Sequence, residues 1–248
     1  MFPVTIVIPV FNQERFIANA VESALRQTYA QCSVMVVDDG STDKTPDILR
    51  KYQDRITILR QDNAGTSAAW NAAIKCIQSE FVIGLDSDDE FFPHTVAQAV
   101  FALQSCPHAD LVYSDYEFID ASGMTTKVVQ NPDPYDPVKQ LAILHDRLGQ
   151  KDNFLPFGHV RLYRKSKLLE IGGYDSQYLY AEDYDLTLRL AEQEATFVHV
   201  PEVLYRYRWH QSNKGVVMRD GQVQDVRKSF ECFLERNPNF KNKEQHLD

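Results

Sequence analysis

The sequence predicts an α/β fold: a single domain with a mostly parallel central sheet flanked by helices, continuing into a smaller mixed or antiparallel part. Three observations point to it. Over the first hundred residues, short β-branched runs alternate with segments of helical periodicity, the pattern of a parallel sheet with right-handed crossovers. A polar cluster follows each of the first four strand patterns, at the carboxyl end where open α/β sheets bind ligands. After Asp110 the strand patterns come in closer succession, as in a hairpin.

In chain order, Val4–Ile8 is a β-branched run and predicts a first buried strand, broken by Pro9-Val10-Phe11-Asn12. Phe16, Ile17, Ala20, Val21, Ala24 and Leu25 recur at helical spacing between Glu14 and Gln27. Val34–Val37 is a second strand ending in Asp38-Asp39-Gly40-Ser41, with Thr42 or Asp43 as cap of a helix running through Ile48 to Tyr52. Ile56–Leu59 is a third strand, followed by the loop Gln61–Gly65 and by an Ala-rich helix capped at Ser67 and ending at Ile77. Phe81–Leu85 is a fourth buried strand, and a helix follows from Thr95 to Ser105.

In the second half, Leu111–Ile119 and Thr126–Val129 read as a hairpin about Asp120–Gly123. Asn131–Pro137 is a loop, Val138–Leu148 a helix, and Phe154–His159 a mobile or acceptor-facing loop. Val160–Tyr163 is a strand, and Lys165–Ile171 a short helix ended by Gly172-Gly173. A helix opens at Glu182-Asp183; Thr196–Val200 and Val203–Tyr207 are two strands; Asp220–Glu235 is a last amphipathic helix before a polar tail. Residues 1–109, 110–215 and 216–248 thus form a ligand-binding half, an acceptor-side half and a terminal helix with its tail, all within one domain.

Composition excludes several classes. A net charge of −9 over 248 residues leaves no electrostatic footprint for nucleic acid or anionic lipid. Cys32, Cys76, Cys106 and Cys232 form no CxxC pair, so neither a zinc site nor a disulfide framework is expected, and reduced thiols in a cytoplasmic compartment are. No signal-like leader and no apolar run of membrane-spanning length is present. Peripheral contact with the inner face of a membrane stays open, and the oligomeric state is not legible.

The chemistry concentrates in Asp86-Ser87-Asp88-Asp89. Three carboxylates within four residues repel one another unless donors, water or a cation compensate. Mg²⁺ joins one or two carboxylates to substrate phosphates, so a metal–diphosphate site at a strand end is one reading and a solvated acidic turn is the other. Neither GxGxxG nor GxxxxGK[ST] follows the first strand, so a glycine-rich loop does not hold a nucleotide here. Asp38 or Asp39 suits hydrogen bonding to a base or ribose, and Asp88 with Asp89 suits a bridging cation. Glu182 and Asp183 open a helix, where acidic residues also simply complement the macrodipole. His210 lies in the polar loop after Trp209.

Taken in order, VTIVIPVFNQE, VVDDGSTDKT, QDNAGTSAA, GLDSDDEFFP, GGYD, AEDYDLTLRL and YRWH resemble the family 2 glycosyltransferases, from Val4 to about Lys214. The resemblance implies the Rossmann-like GT-A fold and transfer of one sugar, with inversion, from a nucleotide-diphosphate donor (UDP-sugar foremost) to a hydroxyl of a glycan, lipid-linked or small-molecule acceptor. It also implies a place in surface polysaccharide or glycolipid assembly. It assigns Pro9, Val10, Phe11 and Asn12 to the nucleotide pocket, with Asn63 and Gly65 beside it. Asp38 and Asp39 would bind the base and Asp86 the ribose. Asp88 and Asp89 would hold Mn²⁺ or Mg²⁺, joined by His210. Asp183 would be the general base, with Glu182 orienting the site.

The chain departs from the family at Ala69-Trp70-Asn71, where many members have Ala-Arg-Asn, which bears on donor identity. Tyr205 in place of the Gln of a Gln-x-x-Arg-Trp motif, and the lack of spans, favour single addition over processive synthesis. Acceptor contacts are expected between Tyr135 and Asp175, with Phe154, Phe157 and Tyr163 divided between sugar stacking and core. A sugar nucleotidyltransferase would need a Gly- and Arg-rich loop after the first strand, which is missing. A catalytically degenerate nucleotide- or glycan-binding protein is the non-enzyme alternative.

Overall fold

The computed structural model describes residues 2–146, 157–211, 213, 217, 219–238 and 240. Among them the strands are β1 (Val4–Val10), β2 (Cys32–Asp39), β3 (Thr57–Gln61), β4 (Phe81–Gly84), β5 (Glu90–Phe91), β6 (Leu111–Ile119), β7 (Thr125–Val129), β8 (Arg161–Arg164) and β9 (Phe197–Arg208). The helices are α1 (Ile17–Leu25), α2 (Thr45–Arg50), α3 (Thr66–Cys76), α4 (Thr95–Ser105), α5 (Pro137–Asp146), α6 (Lys165–Glu170), α7 (Glu182–Glu192) and α8 (Arg219–Arg236).

One sheet runs in the order β3-β2-β1-β4-β8-β6-β9-β5, with β7 on the flank of β6. The first four strands are parallel, β8 is antiparallel to both β4 and β6, and β9 is parallel to β6. Strand periodicity divides the core into two layers. Ile6, Ile8 and Val36 pack towards α1, α2 and α4, whereas Val7, Val37 and Val82 pack towards α3, α5, α7 and α8. Burial on both faces explains why these strands are continuous apolar runs, each such side chain contributing about 1.5–3 kcal/mol.

Several boundaries differ from expectation. β1 continues through Pro9 to Val10; its pairing with β4 has already ended at Val7 and Gly84, so the missing proline N–H costs nothing on that side. Asp38 and Asp39 lie within β2, opposite Arg60 and Gln61. Gly65, at φ 88°, occupies the cap position of α3, and Ser67 is inside the helix, its hydroxyl donating to the Asp175 carbonyl. Lys44 occupies the cap position of α2, and Asp43, two residues before the first helical residue, accepts from the Thr45 N–H at 2.9 Å.

The two strands expected near Thr196–Tyr207 are one strand of 12 residues, β9, whose register against β6 shifts around Asp115 and so absorbs Pro201. The two-residue strand β5 was not anticipated. Phe157 is fully buried against Tyr113 and Phe197 and belongs to the core, as does Tyr163, whereas His159, from the same loop expected to be mobile or acceptor-facing, is only part-buried. Phe154, Lys214 and the tail from 241 lie outside the described residues. Among the described residues, no helix is long and apolar enough to cross a membrane.

Candidate active site

A cleft of about 700 Å³ opens at the carboxyl ends of β1, β2 and β4. Its walls include Pro9, Val10, Phe11 and Asn12 after β1, Asp39 from β2, and Asp86, Ser87 and Asp88 after β4. His159 and Arg161 reach it from the β8 side, Glu182 and Asp183 from the start of α7, and Tyr207 and His210 from the end of β9.

β9 builds the acidic turn. The Asp89 N–H closes the turn on the Asp86 carbonyl at 3.1 Å. Asp86 and Asp88 face the cleft, and Asp89 turns inward and is fully buried. Its carboxylate accepts from the Tyr205 hydroxyl and the Arg208 N–H, both at 2.7 Å. Burial, with Asp88 and Asp86 adding repulsion, holds the Asp89 carboxyl well above the ordinary range against these two donors. Asp89 is therefore a buried brace between turn and strand and not a cleft ligand, contrary to the expectation that it joins Asp88 at a metal. Arg208, 1% exposed, donates to the Asp88 carbonyl at 2.8 Å, pairs closely with Glu90, and lies over the Phe16 ring.

Asp88 and His210 do come together. His210 Nε2 is 3.0 Å from Asp88 Oδ2, and its ring stacks on Phe16 with centroids 5.0 Å apart. One carboxylate and one imidazole fit a divalent cation that takes its remaining oxygens from a diphosphate and water. Among the described residues, no group of three or more potential ligands gathers at one point, so the protein by itself forms only part of a coordination shell.

At the other side of the cleft, Asp183 Oδ2 accepts from Arg161 Nη1 at 2.9 Å, and Oδ1 accepts from the Tyr184 N–H at 2.8 Å. Burial raises the Asp183 carboxyl, but the charge and hydrogen bond of Arg161 outweigh it and hold the group below its usual value. His159 stacks on Tyr205 and Tyr207, with centroids 5.3 and 4.6 Å away. Burial, reinforced by the Arg161 charge and opposed by Asp183, pushes its pKa down to about 3, so the ring is neutral. Sequence reasoning missed both Arg161 and His159. The available signal was a charged residue alternating with the buried Leu162 in a strand that sits inside the sheet.

The nucleotide-end residues divide. The Asn12 side-chain oxygen Oδ1 accepts from the Thr42 N–H at 2.8 Å, tying the end of β1 to the loop after β2. Asp39 Oδ1 accepts from Gln61 Nε2 and the Ala64 N–H, and Oδ2 from the Gly65 N–H at 2.8 Å, so it faces the cleft and also clasps the loop after β3. Asp38, one residue earlier, points to the other face, where it pairs closely with Arg60 and accepts from the Ser41 N–H. Asp38, Asn63 and Gly65 do not line the cleft, contrary to expectation. Trp70 is buried, stacked on Tyr174 at 5.1 Å and pressed against Gly84, where a Cβ would come within 2.8 Å of its ring.

The sequence model "Glycosyl transferase family 2" matches residues 5–172. An uncharacterized glycosyltransferase of Rickettsia typhi is 32% identical over 209 residues, covering 84% of this chain and 64% of the relative, so the chain spans under two thirds of that protein. Among solved structures, Staphylococcus aureus TarS 1–349 in complex with UDP-GlcNAc aligns with a TM-score of 0.63 at 22% identity, over 85% of this chain and 59% of that one. The mannosyltransferase PcManGT from Pyrobaculum calidifontis, in complex with GDP-Man and Mn²⁺, aligns with a TM-score of 0.68 at 19% identity, over 94% and 64%. These neighbours share the GT-A arrangement of a curled α/β sheet. By the span of the family match and the identity to its relatives, the chain belongs to glycosyl transferase family 2.

Proposed function

We propose that this glycosyltransferase moves one sugar from a nucleoside-diphosphate donor, a UDP-sugar first, to an acceptor hydroxyl with inversion. The observation that carries the proposal is the cleft itself: Asp39 and Asp86, the Asp88–His210 pair and Asp183 line one 700 Å³ space at the carboxyl ends of the parallel strands. Asp39 offers its remaining lone pairs to a base N–H, and Asp86 to ribose hydroxyls. Asp88 and His210 would hold Mn²⁺ or Mg²⁺, which when bound supplies Lewis-acid neutralisation of the leaving diphosphate. Asp183 takes the acceptor proton, and Glu182, beside it on the cleft wall, orients the acceptor.

One observation favours the non-catalytic alternative. Both Asp183 oxygens are engaged, Oδ2 by Arg161, so proton uptake requires a lone pair not facing that guanidinium. A nucleotide- or glycan-binding protein with the same pocket would keep the pair closed.

We assign the chain to surface polysaccharide or glycolipid assembly at the cytoplasmic side of a membrane, with a glycan, lipid-linked or small-molecule acceptor. The test is titration calorimetry with UDP, GDP and UDP-sugars, in Mn²⁺ and in EDTA, followed by donor hydrolysis. Metal-dependent binding of one nucleotide and slow release of sugar to water are expected. Binding without hydrolysis or transfer selects the non-catalytic alternative, and no nucleotide binding overturns the proposal.

A further inference from the structure

Arg161 is the first residue of β8, the strand inserted antiparallel between β4 and β6. It stands one position beyond the Ile83–Leu162 pair, towards the turn that carries Asp86. Strand alternation sends Leu162 into the core and leaves Arg161 on the cleft side, its side chain 13% exposed. A guanidinium so placed has lost most of its water and needs a charged partner. Asp183 supplies one at 2.9 Å, and the Asp86 charge also bears on the group. Tyr163 and Tyr174 lie beside it, but burial pushes both hydroxyls up and keeps them neutral.

The pair has a particular form. It joins one nitrogen, Nη1, to one oxygen, Oδ2, and not the two-pronged contact open to an arginine and a carboxylate. Oδ1 is held separately by the Tyr184 N–H. Each oxygen accepts in two directions, so a lone pair is left on both. The Asp183 side chain is 34% exposed and lines the cleft. The carboxylate is therefore clamped in its plane and still open to a substrate.

We propose that Arg161 is a positioning residue for the base: its guanidinium fixes the plane of the Asp183 carboxylate and keeps it charged, and so sets the lowest pH at which the protein transfers sugar. This rests on the assignment of Asp183 as base in the proposed function. In the transfer step the acceptor oxygen bonds to the anomeric carbon, and the electron pair of the anomeric C–O bond leaves with the diphosphate. The acceptor proton passes to Asp183, which only the ionised carboxyl can receive. The contact that engages Oδ2 thus serves the reaction and does not block it.

The other groups around Asp183 give no comparable support. His159, on the segment leading into β8, is neutral. Glu182 and Asp86 bring further carboxylates to the same wall. Asp185 turns the other way, to Arg189 and to Ser229 of α8. Against these, burial alone would raise the Asp183 carboxyl, and Arg161 outweighs it. The arrangement has a cost, because a base held in its charged form is a weaker base. Removing the guanidinium should therefore act in opposite senses at the two ends of the pH range: less ionised base in acid, stronger base once ionised.

The test uses the intact chain with Mn²⁺ and whichever of UDP-Glc, UDP-Gal and UDP-GlcNAc it hydrolyses fastest, at saturation, with water as acceptor. Titrations of metal and nucleotide groups are common to parent and variant and cancel in the ratio of their rates. The rate of Arg161→Gln relative to the parent is expected to fall at least about fivefold between pH 8 and pH 5, and that of Arg161→Lys, which keeps the charge, to fall less. A ratio constant across this range, with circular dichroism matching the parent's, overturns the inference, as does an equal fall in the lysine variant. Should the glutamine variant not turn over, ¹³C-carboxyl NMR of aspartate-labelled protein reads the group directly, with Asp183→Asn assigning the resonance. The Asp183 signal should titrate at higher pH in Arg161→Gln than in the parent, and an unmoved midpoint overturns the inference. Loss of hydrolysis in Asp183→Asn together with an unshifted Arg161→Gln profile removes the inference and leaves the base standing. Hydrolysis by Asp183→Asn at the parent's rate, or none by the parent, brings down both.

Discussion

His210 Nε2 stands 3.0 Å from Asp88 Oδ2 across 122 residues of chain, and Phe16 stacks on the imidazole to fix its plane. The pair is held from below by Arg208, which donates to the Asp88 carbonyl and pairs with Glu90. The half-site proposed for a metal is thus carried on a braced turn, with its side chains held in place by these contacts.

Asp88→Ala and His210→Ala should therefore each weaken Mn²⁺-dependent donor binding while leaving the fold intact. The loss should be at least about 10–100-fold, the range seen when mere supporting partners of metal ligands are removed. Calorimetry in Mn²⁺ and in EDTA reads it; equal affinity of the parent protein in both solutions would contradict the assignment.

Asp183→Asn should keep the fold and donor affinity, lower stability by an amount comparable to Arg161→Gln because it leaves the Arg161 guanidinium without its carboxylate, and lose roughly 10²–10⁴ in transfer rate. Single-turnover assays with an identified acceptor would measure this. Near-normal turnover would remove Asp183 from the role of base.

Arg161→Gln should act on the pH dependence of stability. In the parent the Asp183 carboxyl lies below its unfolded value, so its contribution is present above that value, about 3.9, and is lost as pH falls below it. In the variant, burial is no longer outweighed and the group rises, which reverses the sign: its contribution is then greatest in acid and declines with rising pH. The parent should exceed the variant by roughly 1–3 kcal/mol at pH 7, between the values for exposed and fully buried pairs, and the gap should narrow as pH falls below the unfolded value through the lower folded one. A constant gap across that range in urea melts would show that Arg161 acts by packing alone.

Trp70→Ala should cost roughly 3–5 kcal/mol, since the indole fills the space between Tyr174 and Gly84. Trp70→Arg, which restores the residue common in the family resemblance, should also destabilise through lost packing against Tyr174, with Asp86, Glu182 and Asp183 around the position offsetting part of the cost of its charge. A stable arginine variant in denaturant titration would mean that the site can open to solvent.

Asp89→Ala leaves the Tyr205 hydroxyl and the Arg208 N–H without their acceptor and should cost about 1–3 kcal/mol for each group. Donor affinity should fall through loss of order in the turn, and Asp89→Asn, which keeps one acceptor oxygen, should recover part of it. Full donor affinity in the alanine variant would show that the brace is dispensable for Asp88.

Periodicity and composition determined a good deal alone. The alternation of β-branched runs with amphipathic segments set the order of the parallel half, because a strand buried on both faces must be apolar throughout. The recurrence of Asn12, Asp39 and Asp86 at the carboxyl ends of the first, second and fourth strand patterns pointed to one end of the sheet, because right-handed crossovers bring those ends to one side. The motif order was enough to suggest the family. Which face each carboxylate took was decided only in three dimensions. Asp38 and Asp39, and likewise Asp88 and Asp89, are adjacent and chemically identical; the pleat and the turn send one of each pair to the cleft and the other to Arg60 or to Tyr205 and Arg208. Arg161 and His159 became visible only when β8 was inserted antiparallel between β4 and β6 and met the start of α7. A local pattern states what must be buried, but partners tens to more than a hundred residues apart are chosen by how the layers pack.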